Sequence, residues 1–200
     1  MTEENERKLE SLIEKMENRN LKTLSDTDAA LLAKHERLSV CLDGLTSLSD
    51  AAAASLAKHK GRSLSLSGLT SLSDAAAASL ANHEGRSLSL SGLTSLSDAA
   101  AASLAKHKGE LYLNGLTSLS DAAAAALATH KGTLDLSGLT SLSDAAAKEL
   151  AKINGSLFLN GLTSLSDAAA KELAKHKGTL DLPYKLEEKI QQIREGQGKA

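Results

Sequence analysis

All six histidines of this 200-residue chain occupy one recurring position. They are His35, His59, His83, His107, His130 and His176, with Ile153 filling the step between the last two. A rank of imidazoles could act as a metal rail or a proton sensor, because imidazole is both a common ligand and the side chain that titrates near neutrality. A second, structural reading is better supported by the spacing. Each histidine follows a leucine by three residues, as His107 follows Leu104, and isoleucine can take its place. On that reading the ring packs inward at the end of a helix with a nitrogen against a backbone carbonyl. Buried neutral rings would then weaken the fold in acid as they are forced to charge.

Aspartate forms a second column: Asp26, Asp50, Asp74, Asp98, Asp121, Asp144 and Asp167. Like charges at repeat spacing need compensation, and the start of a helix supplies it through free N–H groups and the helix dipole. Calcium is a weaker explanation, since it needs six or more oxygens and the glycine-rich calcium-repeat pattern is absent. Lysines such as Lys58, Lys60, Lys106, Lys108, Lys175 and Lys177 fall at the opposite helix ends and read as a solvated edge. Serine, histidine and aspartate are abundant, but they recur as ranks and do not converge on one pocket. Nucleophilic catalysis needs a base and an oxyanion site around a single nucleophile. No enzyme, cofactor or metal site is therefore expected. The lone cysteine, Cys41, excludes an internal disulfide and a multi-thiolate zinc site.

The elements that position these columns follow from a repeat. GLTSL begins at Gly44, Gly68, Gly92, Gly115, Gly138 and Gly161, and the register extends back to Asn20 and forward to Tyr184. Seven units of 23–24 residues result. Each opens with Leu-x-Leu alternation, which suits a short strand with one buried face. A glycine then permits a sharp turn or a close backbone approach. Ser-Asp and an alanine run come next, with Ser or Asp as N-cap, and Lys-Gly closes a helix predicted at about ten residues. Ala52, Ala53 and Leu56 should face inward, and Ala54, Ser55 and Lys58 outward. A unit this small cannot bury its own leucines, so neighbours must stack, strands in a parallel sheet on one side and helices on the other. The wider spacing of helices bends such a body with the sheet on the concave side.

The pattern LxLxGLxxLSDAAAxxLAxHxG resembles the leucine-rich repeat. It is most similar to bacterial types whose small-residue helix reads GDEGAxxLA or SDEAAxxLA. The resemblance implies an α/β, right-handed solenoid. It also implies a binding role for the concave strand face. One departure is that the turn after the strand carries glycine in place of the usual asparagine, preceded by Asp43, Ser67, Ser91, Asn114, Ser137 or Asn160.

The ends read as caps. Leu9, Leu12, Ile13 and Met16 form one helical stripe, and Leu186, Ile190 and Ile193 form another after Pro183. The organisation expected is a capping helix over 1–19, a solenoid over 20–183, and a capping helix and tail over 184–200. Intact caps should keep the chain monomeric. The skewed composition (39 Leu, 33 Ala, 26 Ser and three aromatics) is this consensus counted seven times. A net charge of −2 argues against nucleic acid or an acidic membrane as partner. No apolar run approaches a membrane span. The charged N-terminal stretch lacks a secretory h-region, and a cytoplasmic setting is expected.

Where constancy marks the scaffold, divergence marks candidate function. The outward position between the strand leucines reads Cys41, Ser65, Ser89, Tyr112, Asp135, Phe158 and Asp181, with Glu110 close by. Two of the three aromatics stand in this column. Tyr112, Asp135, Phe158, Asp181 and Glu110 are therefore the candidate partner-binding residues of a non-enzymatic interaction module, with a protein as partner. The near-identity of the copies also fits a structural, assembly or engineered consensus solenoid with no specific ligand. A metal-binding or pH-sensing histidine column is the third alternative.

Overall fold

A computed structural model describes residues 2–35 and 39–197. It opens with helix α1 (Glu3–Glu17), then alternates helix and strand: α2 (Asp26–Ala33), β1 (Ser39–Cys41), α3 (Asp50–Leu56), β2 (Ser63–Ser65), α4 (Asp74–Leu80), β3 (Ser87–Ser89), α5 (Asp98–Leu104) and β4 (Glu110–Tyr112). The pattern continues through α6 (Asp121–Leu127), β5 (Leu134–Asp135), α7 (Asp144–Leu150), β6 (Leu157–Phe158), α8 (Asp167–Leu173), β7 (Leu180–Asp181) and a final helix α9 (Tyr184–Gln197). The seven strands form one parallel sheet in sequence order, each paired with the next. This is an α/β repeat solenoid, in which every element packs on its counterparts in the adjacent units.

One core runs the length of the molecule. From β2 to β6 it holds the two strand leucines and the turn leucine of each unit (Leu88, Leu90 and Leu93, for example), together with helix residues such as Ala100, Ala101 and Leu104. As the helical period requires, Ala52, Ala53 and Leu56 are fully buried and Lys58 is exposed. Ala54 and Ser55 are half-buried against the neighbouring helix, because alanine faces let the helices approach closely.

The repeat helices are shorter than the ten residues expected. Those from α3 to α8 have seven residues each and end at the leucine, with the next alanine as C-cap, well before the Lys-Gly pair. Bonds of the i→i+3 type tighten the last turn (Lys58 N–H to Ser55 O at 3.1 Å, His59 N–H to Leu56 O at 2.9 Å) and bring the chain inward at the histidine. The turn glycine serves close approach, since no glycine among the described residues has positive φ. A Cβ on Gly92 would run into the carbonyl oxygen of Ser67 and stand 2.7 Å from that of Leu69.

The N-cap of each repeat helix is the serine, with aspartate as the first helical residue. Ser97 Oγ accepts the Ala100 N–H at 3.0 Å. The same hydroxyl donates to the aspartate of the preceding unit: Ser49 to Asp26, Ser73 to Asp50, Ser97 to Asp74, Ser120 to Asp98, Ser143 to Asp121 and Ser166 to Asp144. This Ser–Asp ladder supplies side-chain bonding between units where the turn asparagine is missing.

At the end of the ladder Asp167 has no serine to follow it, and Lys189 of α9 takes that place at 2.8 Å. Lys189 also donates to Leu165 O (3.0 Å), while Arg194 donates to the carbonyls of Ala174 and His176 (3.0 and 3.2 Å). Ile190 is buried and Leu186 and Ile193 pack on the core. At the other end α1 buries Leu9, Leu12 and Met16, with Ile13 packed beside them, and Lys8 pairs with Asp28 at 2.6 Å.

Candidate functional site

The strand pairing places Tyr112, Asp135, Phe158 and Asp181 side by side. Tyr112 is in register with Asp135, Asp135 with Phe158, and Phe158 with Asp181. Tyr112, Asp135 and Phe158 lie between the buried leucines Leu111, Leu113, Leu134, Leu136, Leu157 and Leu159, and Asp181 between half-buried Leu180 and buried Leu182, so alternation places the four on the opposite face. All four are half-buried.

Hydrogen bonds hold Tyr112, Asp135 and Asp181. Tyr112 Oη donates to Glu110 Oε2 at 2.9 Å, and Arg86 Nε donates to Glu110 Oε1 at 3.2 Å. The charge of Glu110 is thus met within the molecule. Burial pushes the Tyr112 phenol up, and the carboxylates of Glu110 and Asp135 add to the push. Ser137 N–H donates to Asp135 Oδ1 at 2.9 Å, and Asn160 Nδ2 donates to Asp181 Oδ2 at 2.9 Å. Among the described residues no lysine or arginine forms an ion pair with either aspartate.

The first half of the same face is built differently, in a way sequence reasoning missed. Asp43 accepts from the Ser65 hydroxyl, from Ser67 N–H (3.0 Å) and from Cys41 Sγ (3.1 Å). Hydroxyl contacts run on through Ser65–Ser67, Ser67–Ser89 and Ser89–Ser91 at 2.8–3.1 Å. Burial pushes the Asp43 carboxyl up, but these donors outweigh it and hold the group below its ordinary value. The Cys41 thiol is pushed up by burial and by its bond to Asp43. The only sequence signal was the run of serines beside one acid. The polar groups here satisfy one another, so little is left for a ligand.

Five of the six histidines are buried, as the inward reading expects, and His35 at the head of the column is half-buried. His59, His83, His107, His130 and His176 are at most 5% exposed. Successive rings stack, His59 on His83 at 6.4 Å and His83 on His107 at 6.3 Å with nearly parallel planes. The carbonyl contact expected for the rings occurs at His130, whose Nδ1 lies 3.4 Å from Ala105 O and whose Nε2 lies 3.2 Å from Thr133 O, and at His176. His59 instead accepts from Gly61 N–H at 3.0 Å. Both nitrogens of His83 and His107 are buried without a hydrogen-bond partner. Burial lowers the pKa of His59, His83 and His107, the last to about 4, with charge repulsion between neighbouring rings adding to the effect. The rings of His59, His83 and His107 stack face to face, so their in-plane nitrogen lone pairs run side by side and do not converge on one ion. Among the described residues no three His, Cys, Asp or Glu side chains form a group able to hold a metal.

Elsewhere, shallow grooves separate the helix C-termini. One of about 440 Å³ is lined by Ala30, Ala33, Lys34, His35, Ser55, Lys58 and Lys60. Among the described residues no helix is long and apolar enough to cross a membrane. No protein-family model matches the chain, and no curated protein matches it either.

Proposed function

We propose that the chain is a leucine-rich-repeat interaction module, without enzymatic activity, that binds a protein partner on the strand face of its last four units. The observation that carries this reading is the unbroken row Tyr112–Asp135–Phe158–Asp181 across four adjacent strands. Aromatic side chains held at fixed spacing on a rigid sheet make strong anchors at little cost in lost motion.

A photo-crosslinking amino acid placed at Tyr112 or Phe158 tests the proposal, with the exposed helix position Ala102 as control. In extract from cells expressing the protein, the strand-face positions should crosslink to a common protein that Ala102 does not reach. The double variant Tyr112→Ala, Phe158→Ala should lose that partner while melting within a few degrees of the parent. Crosslinks from Ala102 alone, or a partner unaffected by the double variant, would refute the reading.

A further inference from the structure

We infer that the occupant of this row is a basic peptide segment carrying two arginines, one over Asp135 between the rings of Tyr112 and Phe158, the other over Asp181. The inference rests on the strand-face reading above and names the chemistry of the partner.

Charge is the first argument. The outward positions before, between and after the strand leucines give three per unit, from Ser39, Cys41 and Asp43 to Thr179, Asp181 and Pro183. Across the seven units they include the acids Asp43, Glu110, Asp135 and Asp181 and no Lys, Arg or His. Asp43 is saturated by hydroxyl, thiol and amide donors, and Glu110 is paired with Arg86. Asp135 and Asp181 are left, each anchored through one oxygen by a neutral donor. A carboxylate held in place but not neutralised attracts a cation.

Geometry selects the kind of cation. Asp135 has an aromatic side chain on each adjacent strand, and strands lie about 4.8 Å apart. A guanidinium above it can pair with the carboxylate through its planar fork while lying against ring faces, which favour cations. Lysine offers a point charge and no plane, and should bind less well. The two free aspartates are two strands apart, about 10 Å by the same spacing. In a polyproline helix, residues three apart point the same way and are about 9.3 Å apart. An Arg-x-x-Arg segment running across the strands matches that interval.

Fluorescence anisotropy with labelled Gly-Arg-Pro-Pro-Arg-Gly tests this on the full chain. Its citrulline, lysine and glutamate counterparts serve as controls. The arginine peptide should bind and weaken at least tenfold in 0.5 M salt, and the citrulline and glutamate peptides should not bind. Asp135→Asn keeps the acceptor for Ser137 N–H, so it should leave the melting temperature unchanged and weaken binding about tenfold or more. Asp43→Asn should leave binding as it is. Failure of the arginine peptide to bind, or equal binding by the Asp135→Asn variant, would overturn the inference.

A peptide array of mixed composition, read with the parent and the Tyr112→Ala, Phe158→Ala variant, separates this outcome from failure of the underlying reading. Peptides that depend on the two rings but lack basic residues would leave the strand face standing and remove the arginine assignment. No ring-dependent peptide at all would remove both. Sedimentation showing that the chain self-associates through Asp135 would replace the peptide by a second copy.

Discussion

At the scale of the residue, each side chain is judged by what its column already provides. Leu113 is fully buried between neighbouring units, so Leu113→Ala should cost about 2–5 kcal/mol in a denaturant titration. The histidines give a pH dependence whose sign can be worked out. In the fold the pKa values of His59, His83 and His107 lie below 6.5, so from pH 6.5 downward the unfolded chain takes up protons first. Stability is therefore greatest above about pH 6.5 and falls toward pH 4, where His107 titrates in the fold. The loss from His107 alone is on the order of 3 kcal/mol. Thermal melts at pH 7.5 and 4.5 check this. The pair His83→Ile, His107→Ile, which copies the isoleucine already at 153, should flatten the difference. Inward packing of this column was legible from Ile153 and the leucine spacing. The absence of partners around the rings of His83 and His107 was not, because it depends on where the neighbouring carbonyls lie.

At the scale of the element, the seven-residue repeat helices are too short to hold by propensity alone, and their ends carry much of the stability. Ser97→Ala removes an N-cap and a rung of the ladder to Asp74 together, and should cost about 1–2 kcal/mol in thermal or chemical unfolding. Asp74→Asn keeps an acceptor and should cost less. The serine and aspartate columns were both visible in the repeat, but their pairing was not, since it joins residues 22 or 23 apart through the stacking of units. The sequence does hold one signal for the C-terminal cap. Stepping 23 residues on from Ser166, in the serine column, lands on Lys189, the residue that closes the ladder on Asp167. The Lys-Gly pair overstates the helix length, because inward burial of the histidine ends the helix before that pair is reached.

At the scale of the whole molecule, stability is a sum over units and the contacts between them. Removing residues 68–91, one complete 24-residue period, joins Ser67 to Gly92 and restores every ladder in register. That variant should stay folded, with the parent's circular dichroism per residue and a smaller denaturant m-value, whereas a 12-residue deletion at the same place should unfold the chain. Deleting residues 1–19 exposes the core that Leu9, Leu12 and Met16 cover, and should give insoluble or polymeric protein by light scattering. A stable monomer would show that α1 is dispensable. The arrangement of units was readable from the repeat because a 23–24-residue period with two apolar patterns has few ways to bury its leucines. The division of the strand face into a self-bonded half and an open half was less readable, since it depends on which hydroxyl reaches which carboxylate.

The Ser–Asp ladder also gives the molecule an arrow. Every rung is donated by the later unit and accepted by the earlier one, so the two ends are chemically opposite. The first serine, Ser25, has no earlier aspartate and turns to Thr27 at 3.0 Å, whereas the last aspartate requires a cation from α9. The two caps are therefore not interchangeable, and a unit can be added only in one orientation. Growth of such an array by duplication is vectorial: each new copy arrives with a hydroxyl to give and leaves a carboxylate to be answered.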